Sequence, residues 1–268
     1  MTSTIHKYPR TQHIEGSRLQ PGDEDLEAVP FEANAGRHLV VEEKMDGANC
    51  AMSFDSRGEL LLQSRGHYLT GGPREKHFTL FKQWAHVHAT LLRPRLADRY
   101  VVYGEWLYAK HTVFYDALPH YFMEFDVLDT RAGCFLSTPR RRELLEGLPI
   151  TPVHVLSSGS IKRKRELIDL LGPSRFIRPG HLERLGEECR RRRLDPDRAL
   201  GETDRSTAME GLYIKVEEEG VVAGRYKYVR AGFLTAVLQS EGHWLNRPIV
   251  PNLLSEGSDI FSSDAGAR

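Results

Sequence analysis

An α+β fold, with antiparallel sheets flanked by helices, is predicted by three observations on the 268-residue chain. Short alternating segments separated by turns run from His38 to Arg65. The same pattern returns after residue 205 as a hairpin, and helix-forming stretches lie between, over 74–92 and within 137–205.

Composition places the chain among globular proteins large enough to bury a core, with 40% hydrophobic and 28% charged residues. Lys+Arg and Asp+Glu both count 37, so overall charge argues for no polyanionic partner and any nucleic-acid surface must come from local clustering. The three cysteines, Cys50, Cys134 and Cys189, are odd in number and lack CxxC spacing, against a disulfide framework or a zinc site and in keeping with a reducing cytoplasm. No run approaches the roughly 18 apolar residues of a membrane span, so neither a secreted nor a membrane protein is expected.

The first thirty residues, with Tyr8-Pro9-Arg10, Gly16, Pro21-Gly22 and Pro30, read as an irregular lead-in. Arg10, His13 and Arg18 there are either phosphate contacts or solvated charges. Strands follow over 38–44, 50–55 and 59–65, the last pair joined by Ser56-Arg57-Gly58. Lys44 ends the first of these just before Asp46-Gly47. It is either a presented nucleophile or an ordinary neighbour of a hairpin turn. Arg65 leaves the third strand before Gly66, where guanidinium and backbone can both approach a phosphate.

Arg74 to Leu92 has helical spacing in Phe78, Phe81, Ala85 and Leu92, with Trp84 and Leu91 widening the stripe. His86 and His88 fall on different helix faces and make a poor metal pair. Strands are expected over 99–108, holding Gly104-Glu105-Trp106, and over 121–128. Glycine inside a strand marks close approach by a ligand or another backbone. Glu105 and Asp126, carboxylates among apolar neighbours, require partners.

From 137 to 205 the composition turns helical and basic, with helices expected at Pro139–Leu148, Ser160–Leu171 (Ser160 as cap, Pro173 as stop) and Pro179–Arg193. The runs Arg140-Arg141-Arg142, Lys162-Arg163-Lys164-Arg165 and Arg190-Arg191-Arg192-Arg193 are either solvated helix faces or a nucleic-acid surface. The hairpin then pairs Glu210–Val216 with Val221–Val229, and alternation sets Tyr213 and Lys215 opposite the apolar Leu212, Ile214 and Val216. Ala231–Gln239 reads as a helix, and the polar chain beyond Pro251 as a flexible tail.

Taken in order, Lys44-Met45-Asp46-Gly47, Ser64-Arg65-Gly66, Gly104-Glu105-Trp106, Phe125-Asp126, Glu210-Gly211-Leu212-Tyr213-Ile214-Lys215 and Arg225-Tyr226-Lys227 resemble the motif set of the covalent nucleotidyltransferases. That superfamily includes DNA ligases, RNA ligases and messenger-RNA capping enzymes. Glu43-Lys44-x-x-Gly47-x-Asn49 and the early Lys7-Tyr8-Pro9 are most similar to the RNA ligase 2-like family, and the resemblance spans about residues 7 to 230. It implies a nucleotidyltransferase domain, the ATP-grasp-like ligase adenylation fold, over 1–232, with a basic helical insertion at about 137–205. A short C-terminal helical segment and tail would occupy 233–268. About 38 residues follow Arg230, too few for a C-terminal OB-fold.

The resemblance further implies an ATP-dependent RNA ligase acting with Mg2+ or Mn2+ and passing through a lysyl-AMP at Lys44. The AMP would pass to an RNA 5′-phosphate, and a 3′-hydroxyl would then seal the break. Lys215 and Lys227 would contact the α-phosphate and, with the metal, lower the Lys44 pKa. Arg65 would touch the nucleotide or its phosphates, Glu105 the ribose and Phe125 the adenine. Glu210 would place the metal through water, with Asp126 a second metal candidate. Glu43, Asn49 and Arg225 complete the nucleotide-binding set, with Glu43, Asn49 and Asp126 also serving the nucleic-acid steps.

Two departures bear on this. Arg225 stands where relatives usually carry lysine, and Asp46 stands where some RNA ligases carry histidine, a position that does not decide between RNA and DNA. No P-loop or phosphatase motif is present, so a separate end-healing kinase-phosphatase partner is expected. The rival readings are a small ATP-dependent DNA ligase and a non-catalytic nucleic-acid-binding module.

Overall fold

The computed structural model describes residues 5–19, 22–23, 25–233 and 248–262. Among the described residues, eleven strands form two sheets, most neighbours antiparallel. The first sheet runs in the order β1 (Gln12–His13), β11 (Val221–Val229), β10 (Gly211–Glu218), β2 (His38–Lys44), β9 (Val155–Ser160). The second runs β4 (Leu60–Ser64), β3 (Ala48–Phe54), β5 (Tyr100–Trp106), β6 (Phe122–Asp129), β7 (Cys134–Phe135), with β8 (Thr151–Pro152) beside β6. Parallel pairing occurs between β1 and β11 and between β6 and β8.

Met45-Asp46-Gly47 carries the chain from β2 in one sheet to β3 in the other. The Asp-Gly pair is therefore a crossing between sheets and not a hairpin turn. Asp46 is fixed there by accepting from the backbone N–H groups of Thr112 and Val113, both at 2.7 Å, while its own N–H donates to the Tyr115 hydroxyl at 2.9 Å. Gly47 is needed because a Cβ would lie 2.7 Å from the Trp106 carbonyl and from Leu107 Cδ2. The close neighbour of Gly104 is the Phe122 ring, so that glycine serves packing and not a ligand.

Helix α1 (Thr79–Leu96), preceded by a 3₁₀ turn at Pro73–Phe78, packs on the second sheet through Phe81, Trp84, Ala85 and Leu92. Leu91, expected to widen the stripe, faces outward at 48% exposure, because the buried face is already filled by aromatics. A second apolar layer gathers Leu39, Val41, Leu212, Ile214 and Val216 on one face of the first sheet.

The middle segment is not purely helical. It contains α2 (Thr138–Leu145), α3 (Lys164–Ile168), α4 (His181–Arg191) and α5 (Pro196–Gly201), but also β8 and β9. β9 pairs with β2 and so gives the backbone groups of that edge their partners. Its polar, serine-rich sequence hides a strand whose pairing is tertiary. Ser160 caps no helix; its hydroxyl donates to the Gly36 carbonyl at 2.9 Å, and α3 starts four residues later, where the Glu166 carboxylate accepts from the Lys162 N–H at 3.1 Å.

Several members of the basic runs are held by carboxylates. Arg141 is fully buried between Glu42 and Glu124. Arg163 pairs with Glu166, Lys164 with Glu15, and both Arg191 and Arg192 with Glu188. The helix expected at 231–239 lies almost wholly outside the described residues. The expected flexible tail is instead seated over 251–262. There Asn252 is buried, accepts from the Tyr115 N–H at 2.9 Å and donates to the Leu107 carbonyl at 2.7 Å. No helix among the described residues is long and apolar enough to cross a membrane.

Candidate active site

Lys44 opens into a cleft of about 560 Å3 between the two sheets. The register sets Gly211 opposite Lys44, which brings Glu210, immediately before β10, beside the amine. Lys44 Nζ donates to Glu210 Oε1 at 2.5 Å, with Lys44 20% exposed and Glu210 buried. Burial pulls the Lys44 pKa down, but Glu210 more than offsets it, and the pKa is raised. That reverses the depression expected from the sequence, because the carboxylate is the nearest charge.

Lys227 reaches the same cleft from β11, where it pairs with Tyr213. Its ammonium donates to Asp23 of the lead-in, whose carboxylate also lies 3.2 Å from His13 Nε2. Burial lowers the Lys227 pKa, and the Lys44 charge pushes the same way.

The opposite wall comes from the second sheet. Glu105 and Asn49 are cross-strand partners on β5 and β3, and Arg65 and Phe125 also line the cleft. Glu105 is pushed up to about 8 by burial; Lys44 opposes this, whereas Glu210 and Asp46 reinforce it. Glu43 is pushed up to about 7, also by burial, and meets the Ser174 side chain and the Arg175 backbone. Phe125 meets Tyr8 edge-on at 5.1 Å and Tyr213 at 5.9 Å, leaving an aromatic wall at one end of the cleft.

Three of the expected site residues are not brought to this cleft. Lys215 lies four residues beyond Gly211, about 13 Å further along the strand at 3.3 Å per residue. It is fully buried, 3.0 Å from Glu42 Oε2 and 3.5 Å from Asp126 Oδ1, and it donates to the Phe125 carbonyl. It therefore faces no open space in which an α-phosphate could sit. Arg225 pairs with Asp126 at 3.0 Å and stacks 3.6 Å over the Phe135 ring. Asp126 also accepts from the Tyr8 hydroxyl at 2.5 Å, so cations and a phenol take up a carboxylate expected to meet a metal.

Glu42, Glu124, Arg141 and Asp23 lie outside the residues expected at the site and are placed by the fold. The first two were open to the argument applied to Glu105, since both are carboxylates inside apolar strands and each requires a cation. Arg141 was hidden within an arginine run that reads as solvated. Asp23 carries no local signal, because only the tertiary fold brings the lead-in to Lys227.

No three His, Cys, Asp or Glu side chains among the described residues gather to cage a metal directly. Glu105 and Glu210, however, both line the cleft and act on Lys44, and Glu210 adds to the rise that burial gives Glu105. Two carboxyl groups lining one cleft suit a hydrated divalent cation held through its waters.

The RNA ligase family model matches residues 37–229. No curated protein gives a significant match. Among solved structures, the Naegleria gruberi RNA ligase with PPi is similar at 15% identity and a TM-score of 0.55, covering 86% of this chain and 57% of that one. A mutant of the same ligase with ATP and Mn matches at 14% identity and a TM-score of 0.53, covering 78% and 54%. Another, with AMP and Mn, matches at 14% and 0.54, covering 86% and 57%. These are likenesses of fold, and the chain spans a little over half the length of those proteins.

Proposed function

We propose, from the premise that this chain belongs to the RNA ligase family, that it is an ATP-dependent RNA ligase whose nucleophile is Lys44. The observation that carries this is the convergence of Lys44, Glu210 and Lys227 from one sheet on Glu105, Arg65 and Phe125 from the other in one cleft. The Lys44 amine would form a bond to the α-phosphorus of ATP as the bond to the pyrophosphate oxygen breaks, with the amine's proton released. AMP would then pass to an RNA 5′-phosphate, and the 3′-hydroxyl would displace AMP to form the phosphodiester.

Placement in the cleft supports the following residue roles. Phe125 offers its face to adenine and Glu105 its carboxyl to ribose, while Lys227 and Arg65 meet phosphates. Glu43 and Asn49 border the reactive lysine and serve the later steps. Mg2+ or Mn2+, held through water at Glu210 and Glu105, would supply positive charge at the leaving pyrophosphate. With Glu210 so neutralised, burial and Lys227 both favour the neutral Lys44 amine, the reactive form. RNA repair in the cytoplasm, with a separate enzyme preparing the ends, is the setting this chemistry suits.

Incubation with α-labelled ATP followed by a denaturing gel tests the reading. Wild type and Arg225→Lys retain label and Lys44→Ala does not. An unlabelled wild type overturns it. Competition among nicked RNA, nicked DNA and RNA joined on a DNA template tests the substrate, and preference for an all-DNA nick overturns the choice of RNA.

A further inference from the structure

We infer that a groove lined by Arg142, His154 and Arg175, floored by Met123, Val153 and Phe176, carries the phosphodiester backbone of the RNA strand as it leaves the cleft. This rests on the ligase reading above. The groove is a cavity of about 350 Å3 separate from the nucleotide cleft, yet Val153 lines both. The backbone also connects them, since the Glu43 N–H donates to the His154 carbonyl at 3.3 Å, one residue from the reactive lysine. A strand whose end lies at Lys44 therefore meets this groove next.

Charge identifies the occupant. Elsewhere the basic runs are neutralised in part by acidic neighbours: Arg163 by Glu166, Lys164 by Glu15, Arg191 and Arg192 by Glu188. Here, among the described residues, Arg142 and Arg175 have no carboxylate within ion-pair distance. The side-chain partner of Arg175 is itself a base, His154, whose ring nitrogens lie 3.1 and 3.0 Å from Nη1. Burial and then the charges of Arg175 and Arg142 hold His154 below its usual pKa, so the cluster is two fixed cations sharing a neutral ring. The nearby acidic group that feels Arg175 is Glu43, whose own carboxyl is pushed up to about 7 by burial. Two exposed arginines lining a groove with an apolar floor suit phosphates on the rim and a ribose or base against Phe176 and Met123.

The test uses the full chain as wild type, as Arg142→Ala/Arg175→Ala and as Arg142→Lys/Arg175→Lys. Label from α-labelled ATP is measured without RNA, and binding of a 5′-phosphorylated RNA oligonucleotide is titrated across a salt series. The alanine pair is expected to keep its label, to bind the RNA at least tenfold more weakly at 0.1 M salt, and to lose about 1.4–1.8 from the slope of log K on log salt. The lysine pair is expected to keep most of the affinity. Unchanged RNA affinity and slope in the alanine pair overturn the inference. So does loss of label in that pair, which would assign the arginines to the first step, and so does a poly-glutamate probe bound as tightly as RNA. A wild type that takes no label but loses RNA affinity in the alanine pair sinks the ligase reading and leaves the groove standing.

Discussion

Lys44 and Glu210 form a 2.5 Å ion pair in which the carboxylate keeps the amine in its unreactive, charged form. Glu210→Gln should therefore separate two quantities that ordinarily move together. Removing the carboxylate lowers the Lys44 pKa, so the amine reacts with an acylating reagent at lower pH than in wild type. Labelling by ATP should fall at least tenfold all the same, since the proposed metal site loses its carboxylate. A Lys44 titration that does not move in Glu210→Gln would remove Glu210 as the cause.

The charged amine also fixes the sign of the pH dependence of labelling. Because the folded Lys44 pKa is raised, the neutral fraction grows as pH rises toward it, and the rate in metal-limited conditions should climb about tenfold per pH unit from 6 to 8. A rate that is flat over that range would show a neutral lysine already present.

Glu105, at about 8, and Glu43, at about 7, make stability fall with rising pH. Between the unfolded glutamate pKa near 4.3 and these folded values, the native state binds more protons than the unfolded chain, so stability is greatest below pH 4.3 for these two groups and declines up to about pH 8. Glu105→Gln should flatten the thermal-melting profile between pH 5 and 8 and raise the midpoint at pH 8. A Glu105→Gln profile parallel to wild type would show that the burial is relieved by water.

Lys215 and Arg141 close a buried network in which Glu42 lies 3.0 Å from Lys215 and also pairs with Arg141. Lys215→Met or Arg141→Met leaves buried carboxylates short of a cation and should cost about 3–5 kcal/mol, read as a lower denaturant midpoint. Label per folded molecule should change by less than about threefold in Lys215→Met. A hundredfold loss of label at unchanged stability would return Lys215 to the phosphate.

Gly47→Ala presses a methyl group 2.7 Å from the Trp106 carbonyl and Leu107. The crossing must shift, and with it Lys44. Labelling should fall at least tenfold, with a melting point lowered by a few degrees. Wild-type labelling in this variant would show the crossing to be compliant.

Where local periodicity set the element, the sequence was legible: 38–44 and 221–229 are strands as expected, and Phe81, Trp84 and Ala85 are the buried face of α1. β9 was not, because a half-exposed serine-rich strand owes its conformation to β2 and not to its own side chains. At the site, Lys44, Glu105, Phe125, Glu210 and Lys227 converge because these motif residues, at or near strand ends or within strands, face one gap between the sheets. Lys215 and Arg225 lie at other positions along the strands, and Asp126, next to Phe125, faces the other side of β6, so spacing translates into a contact only once register and facing are known.

The Met45-Asp46-Gly47 crossing divides the cleft between two bodies of structure. Lys44, Glu210 and Lys227 ride on one sheet, and Glu105, Arg65 and Phe125 on the other. A nucleotide seated as proposed is thus held at its phosphates from both sheets, by Lys227 and Arg65, and at its base and sugar by the second sheet alone. It acts as a rivet across the seam, and saturating ATP should raise the melting temperature of the whole domain as one cooperative unit.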